Sequence, residues 1–145
     1  MLNSLQEKKS AILSGCPGVG KSAVLKSIFG ILSKTYDIMV LRGDDFSVKN
    51  IDDLLSITHH HDLASFVQFY QSVEHKLLVV DAVENVPNLN NNHVFDNFLY
   101  ELANEGWLFI FTIRDSYINN FDSWIGRNLQ SLSYDTVEVK PFSQE

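Results

Sequence analysis

Residues Gly15 to Ser22 read G-C-P-G-V-G-K-S. Before them lies a short apolar run, Ser10-Ala11-Ile12-Leu13-Ser14, and after them Ala23-Val24-Leu25-Lys26-Ser27-Ile28-Phe29, with apolar residues at helical spacing. Strand, glycine loop and helix in that order leave few folds open to the chain. Glycines let the loop backbone take conformations that a Cβ would block. Successive N–H groups then turn toward one point, at the positive end of the helix that follows. A concavity of that kind holds phosphate. The spacing G-x-x-x-x-G-K-[ST] is the Walker A pattern, and it predicts roles by position. Gly15, Cys16, Pro17, Gly18, Val19 and Gly20 wrap the phosphates, with Val24 in the first turn of the helix. Lys21 sets a point charge between β- and γ-phosphates, and the Ser22 hydroxyl ligates Mg²⁺.

The rest of the chain must supply a core to carry this loop. Its 145 residues suit one domain, residues 1–145, and 45% of them are hydrophobic. Net charge is −7, from 18 acids and 11 bases. The three arginines, Arg42, Arg114 and Arg127, are scattered. A surface that acidic argues against nucleic acid or an anionic membrane as partner. One cysteine, Cys16, excludes an internal disulfide and fits a reducing compartment, so the cytoplasm is expected. No apolar run reaches the roughly 20 residues of a membrane span.

Strand and helix patterns alternate along the chain, which predicts a parallel α/β sheet. The expected fold is a three-layer αβα P-loop NTPase core with five mainly parallel strands in the order 5-1-4-3-2. Strands are expected at 10–14, 37–41, 76–80, 107–112 and 136–139. The first helix is expected at 21–34, a pair of short helices within 48–72, and a longer one at 93–105, ended by Gly106. Arg42-Gly43-Asp44-Asp45 reads as a turn, 88–92 as an asparagine-rich loop, and 115–130 as irregular chain or a short helix. Leu63, Phe66, Val67, Phe69 and Tyr70 are predicted to share one helix face, and Val94, Phe95, Phe98, Leu99 and Leu102 another. Pro141 closes the last strand.

Two further signatures follow the first. Leu77 to Asn85, L-L-V-V-D-A-V-E-N, is an apolar strand ending in Asp81, whose carboxylate can orient Mg²⁺. Glu84, three residues on, is a candidate general base; the plain alternative is a solvated loop acid. Ala82 stands where many P-loop ATPases carry that base. Trp107 to Asp115, W-L-F-I-F-T-I-R-D, ends a buried strand at Thr112, with Arg114 just beyond. Ligands bind at the carboxyl ends of parallel strands, so Arg114 is a candidate sensor of the γ-phosphate. The alternative is a surface arginine paired with Asp115. The run His59-His60-His61 reads as a solvated loop, because adjacent histidines cannot all face one ion. Tyr117 and Trp124 are either core residues or an exposed docking surface.

These three segments, in this order, resemble the STAND class of P-loop NTPases, which includes NACHT-type signalling ATPases. The D-A-V-E and T-I-R segments carry the resemblance. V-L-R-G-D-D-F and the tail V-E-V-K-P-F-S-Q-E are also similar to bacterial members. The resemblance implies an ATP-driven switch in signalling or defence, with ATP or ADP and Mg²⁺ bound. It assigns phosphate binding to Gly15 through Ser22, metal to Ser22 and Asp81, and the acidic base to Glu84. Lys21 and Arg114 complete the catalytic set. It further implies oligomerisation on ATP binding, and a lid and winged-helix domain after Glu145, so that this chain is a core from a longer protein. Three other functions stay open: a small-molecule kinase, a nucleotide-binding module without turnover, and a helicase-loader type of AAA+ ATPase. No N-K-x-D run is present to read guanine, which favours ATP.

Overall fold

Runs rich in Val, Ile, Leu and Phe pair into a sheet because both of their faces can be buried. In the computed structural model, which describes residues 1–16 and 20–140, the strands are β1 (Ser10–Gly15), β2 (Asp37–Arg42), β3 (Lys76–Asp81), β4 (Leu108–Arg114) and β5 (Tyr134–Glu138). Their order is β2-β3-β4-β1-β5, and every neighbouring pair is parallel. This is the predicted order, read from the other edge. Central β1 is buried along its whole length, whereas edge strand β5 is only half buried.

The helices are α1 (Leu2–Gln6), α2 (Lys21–Leu32), α3 (Ile51–Ser56), α4 (Leu63–Tyr70), α5 (His93–Asn104) and α6 (Ile118–Asn128). Strand alternation divides the core between the two faces of the sheet. Leu78, Val80, Phe109, Phe111 and Ile113 face α3 to α6. Leu77, Val79 and Ile110 face α1 and α2. The layers are unequal. Helix α5 buries Val94, Phe95, Phe98, Leu99 and Leu102, as its spacing predicted, each worth about 1.5–3 kcal/mol. Helix α2 fully buries Leu32 alone. Helix α2 therefore lies on the thin side of the molecule, beside an open cleft.

Several expectations need correction. Strand β4 runs on through Arg114, because parallel pairing with β1 continues to Gly15↔Arg114. The turn after β2 is a short 3-10 helix, Gly43–Phe46. Of the two readings of 115–130, the helix is correct: residues 118–128 form α6, held by buried Phe121, Trp124 and Ile125. Trp124 is core: its indole N–H donates to Asp96 Oδ1 at 2.8 Å, and its ring stacks on Phe121. Tyr117 is partly exposed. Phe69 does not share the buried face of α4; it is 64% exposed, while Phe66 is buried. Helix α1, which buries Leu5, was not foreseen. The expected closure by Pro141 and the tail beyond it lie outside the described residues.

Candidate functional site

The site begins where β1 leaves the sheet. Gly15 ends the strand and is buried, and Cys16 is exposed and free. Pro17, Gly18 and Val19 lie outside the described residues. Gly20 enters α2 at φ +91°, a left-handed conformation that glycine adopts without steric cost. Its carbonyl accepts the Val24 N–H at 3.0 Å and opens the helix. The Lys21 ammonium folds back on the loop, donating to the carbonyls of Gly15 at 2.9 Å and Cys16 at 3.2 Å. An ammonium has three donors, so one remains for a phosphate oxygen. Ser22 is exposed on the first turn.

Asp81 closes β3 on the same edge of the sheet. Its Oδ1 accepts the Thr112 hydroxyl at 2.5 Å, and the same hydroxyl accepts the Ala82 N–H at 2.7 Å. Ala82 sits at φ +56°, which costs a residue with a Cβ roughly 1–2 kcal/mol. That turn sends Val83 into the core and carries Glu84 across to β4. Gly43, at the β2 exit, packs against it. A Cβ there would stand 2.2 Å from the Ala82 carbonyl oxygen, so only glycine fits.

Glu84 is not a solvated loop acid. Its side chain is 7% exposed, and Oε1 accepts the Arg114 N–H at 3.2 Å. The Arg114 guanidinium lies 3.9 Å from the same oxygen. Glu84, not Asp115, is therefore its ion-pair partner. Glu84 Oε2 is buried with no hydrogen-bond partner. Such an unpartnered atom is costly in an apolar setting.

Ser22 and Asp81 line one cleft of about 480 Å³ between α2 and the sheet, with Arg42 and Lys26 beside them and Leu25, Ile28 and Val79 in its apolar wall. A hydroxyl and a carboxylate are hard oxygen donors, the chemistry that Mg²⁺ takes together with phosphate oxygens and water. Among the described residues there is no cluster of three or more His, Cys, Asp or Glu that could hold a metal by itself. In the His59–His61 run, read as a solvated loop, His59 and His61 are exposed, but the His60 ring packs edge-on against Phe66. The donors present fit a nucleotide-borne magnesium and no all-protein cage.

Comparison with solved structures places the architecture. The chain is similar to a chain in the structure of Drosophila ORC bound to AT-rich DNA and Cdc6, with a TM-score of 0.64 and 20% identity over 99% of this chain and 53% of that one. It is also similar to the S. cerevisiae Hsp104–ADP complex, with a TM-score of 0.67 and 13% identity over 94% of this chain and 20% of that one. A third likeness is to the Aeropyrum pernix ORC1 protein in complex with DNA, with a TM-score of 0.61 and 12% identity over 93% of this chain and 40% of that one. This chain therefore shares with these structures the fold described above, a five-stranded all-parallel sheet with helices on both faces. This chain spans about half the length of the first of these, 53%. No protein-family model matches the sequence, and no curated protein sequence matches it. Net charge as a reason against nucleic acid finds no support here, since two of these three structures hold DNA. No helix among the described residues is long and apolar enough to cross a membrane.

Sequence reasoning missed Arg42 and Gly43, read only as a turn, and the hydroxyl of Thr112 as the partner of Asp81. Alternation along β2 could have placed Arg42 on the same face as Ile38 and Val40. The register that sets it beside Asp81 is a tertiary fact.

Proposed function

We propose that this chain is the ATP-binding and ATP-hydrolysing core of a molecular switch. Gly15 through Ser22, with Val24 behind them, hold the phosphates. Lys21 spends its remaining donor on a β- or γ-phosphate oxygen. Ser22 and Asp81 hold Mg²⁺, which neutralises phosphate charge. Glu84 takes the proton from a water attacking the γ-phosphorus as the bond to the leaving ADP oxygen breaks, and Oε2 is the carboxylate oxygen left free to accept it. Arg114 stabilises charge on the transferred group. The observation that carries this reading is the meeting of Ser22 and Asp81 on one cleft at the carboxyl edge of the sheet, next to Lys21.

The finer reading, a STAND-type signalling or defence switch, rests on the D-A-V-E and T-I-R segments. With it come oligomerisation on ATP binding, contact with further domains of a longer parent chain, and a cytoplasmic setting suited to free Cys16. One observation favours binding without turnover as a second reading: Glu84 Oε1 is engaged by Arg114, so base and sensor restrain each other.

Calorimetry of Mg-ATP against wild type and Lys21→Ala tests the core proposal. Micromolar binding is expected in the first and none in the second. Equal affinity would remove the phosphate loop from the mechanism. Phosphate release by Glu84→Gln and Arg114→Ala, measured in the longest natural chain, separates the two readings: wild-type release without loss in either variant rejects their catalytic roles.

A further inference from the structure

Strand register sets Arg42 directly beside Asp81, and the next step beyond Val80↔Phe111 sets Thr112 on the other side. Neighbouring strands lie about 4.8 Å apart. By alternation all three side chains belong to the α2 face, the face of Ile38, Val79 and Ile110. Arg42 and Asp81 both line the cleft that holds Ser22. The row on the carboxyl edge thus reads arginine, aspartate, threonine. The threonine hydroxyl is spent on the aspartate. The guanidinium of Arg42 is not spent: among the described residues no acid lies within ion-pair distance of it, and only its backbone N–H is used, on Asp45 Oδ2 at 2.7 Å.

The backbone of Arg42 is also held in place. The following residue, Gly43, packs so closely on the Ala82 carbonyl that no Cβ fits between them. Arg42 is therefore pinned to the turn that presents Asp81. Two other cations near the loop are engaged, Lys21 by loop carbonyls and Arg114 by Glu84, and Lys26 sits a turn further along α2 in the same cleft. An unpaired guanidinium on a held backbone, next in register to the Asp81 carboxylate, is suited to a doubly charged oxyanion group, which it can meet with two parallel N–H donors.

We infer that Arg42 is a specificity-determining residue that contacts the terminal phosphate of Mg-ATP from the β2 side and so distinguishes triphosphate from diphosphate. The inference rests on the nucleotide-binding reading above. A contact to the terminal phosphate strengthens ATP binding and leaves ADP binding alone. A merely structural arginine that steadies Asp81 affects both through the metal.

The test is calorimetric affinity for a non-hydrolysable Mg-ATP analogue and for Mg-ADP. The proteins are wild type, Arg42→Ala, Arg42→Lys, Lys26→Ala and Lys21→Ala. Arg42→Ala should bind the triphosphate about tenfold or more weakly, with the diphosphate affinity held within about twofold. Arg42→Lys should recover part of the loss. Lys26→Ala removes a cation from the same cleft about 6 Å further along α2, and it should leave the ratio of the two affinities unchanged. Equal losses for both ligands, no loss, or the same ratio change in Lys26→Ala overturns the inference. If Arg42→Ala does not melt like wild type, Arg42→Gln keeps most of the aliphatic stem and takes its place in the comparison. Lys21→Ala keeps the two ideas apart: if it too binds both ligands like wild type, the phosphate-loop reading falls, whatever Arg42 does.

Discussion

The Thr112 hydroxyl hydrogen-bonds the Asp81 carboxylate at 2.5 Å and, in turn, receives the Ala82 N–H at 2.7 Å. One buried side chain thereby orients a candidate metal-holding carboxylate and satisfies the amide of a left-handed turn. Thr112→Val keeps the shape and removes both bonds. The stranded amide should cost about 1–3 kcal/mol in urea unfolding. Affinity for Mg-ATP should fall in the same protein, because nothing then orients Asp81. Thr112→Ser restores the hydroxyl and should restore most of both. A valine variant equal to wild type in stability and binding would leave this hydroxyl without a role.

Gly43 is the second lock on that turn. A methyl group at its Cβ position would lie 2.2 Å from the Ala82 carbonyl oxygen and 3.0 Å from the Val86 nitrogen. Both are backbone atoms and cannot rotate away. Gly43→Ala should therefore destabilise by about 1–3 kcal/mol or more, the range of overpacking. The displaced turn carries Asp81 and Glu84 with it, so Mg-ATP binding should weaken beyond the loss of folded protein. Thermal melting and calorimetry on the same sample separate the two effects. Gly30 is the control, since a Cβ there meets nothing within 4 Å and Gly30→Ala should be neutral or slightly stabilising.

Much of this was legible because local chemistry decided it. The loop spacing fixed the strand–helix boundary at Lys21, and the apolar stripe of α5 needed only its period of 3.6. Strand order came with the P-loop NTPase fold that the chain's motifs resemble, and the sheet has it. What escaped depends on register. Arg114 reads as lying beyond its strand until pairing with Gly15 draws it in. Residues 115–130 read as either irregular chain or a short helix because Ile118, Phe121, Trp124 and Ile125 are sparse among polar residues; contact with Phe95 and Phe111 decides for helix. The sequence leaves Glu84 between a candidate base and a solvated loop acid; the φ of Ala82, which turns it onto β4, removes the second.

Asn92 ties the start of α5 to one distant carbonyl, that of Phe46, and one within its own loop, that of Pro87. Its side-chain oxygen caps the helix by accepting the Phe95 N–H at 3.0 Å, and its amide donates to Phe46 at 3.1 Å and Pro87 at 2.9 Å. Asn92→Ala removes a cap and two bridges together. A loss of about 2–3 kcal/mol is expected, above the ~1 kcal/mol of a simple cap. Asn92→Asp keeps the cap and loses both donors, so it should fall between. Urea midpoints for the three proteins rank them; equal midpoints for Ala and Asp would assign the whole effect to the bridges.

Alkaline stability should report on Tyr134. Burial raises its hydroxyl pKa above the usual 10.0, helped by the hydrogen bond it donates to Asp122 at 2.9 Å and by the negative charge of that carboxylate. Tyr70 is raised too, by burial and then by the charge of Asp37. A raised folded-state pKa means that the folded protein holds a proton that the unfolded chain has begun to release. The stabilising contribution is therefore complete below about pH 10 and is lost as pH climbs through the folded-state value. Unfolding free energy from urea titrations should be flat in this respect between pH 8 and 9.5 and should fall above 10. Tyr134→Phe cannot ionise, so its curve should fall less steeply over the same interval, with Tyr70 supplying what remains. Parallel curves for the two proteins would mean that Tyr134 ionises as freely folded as unfolded.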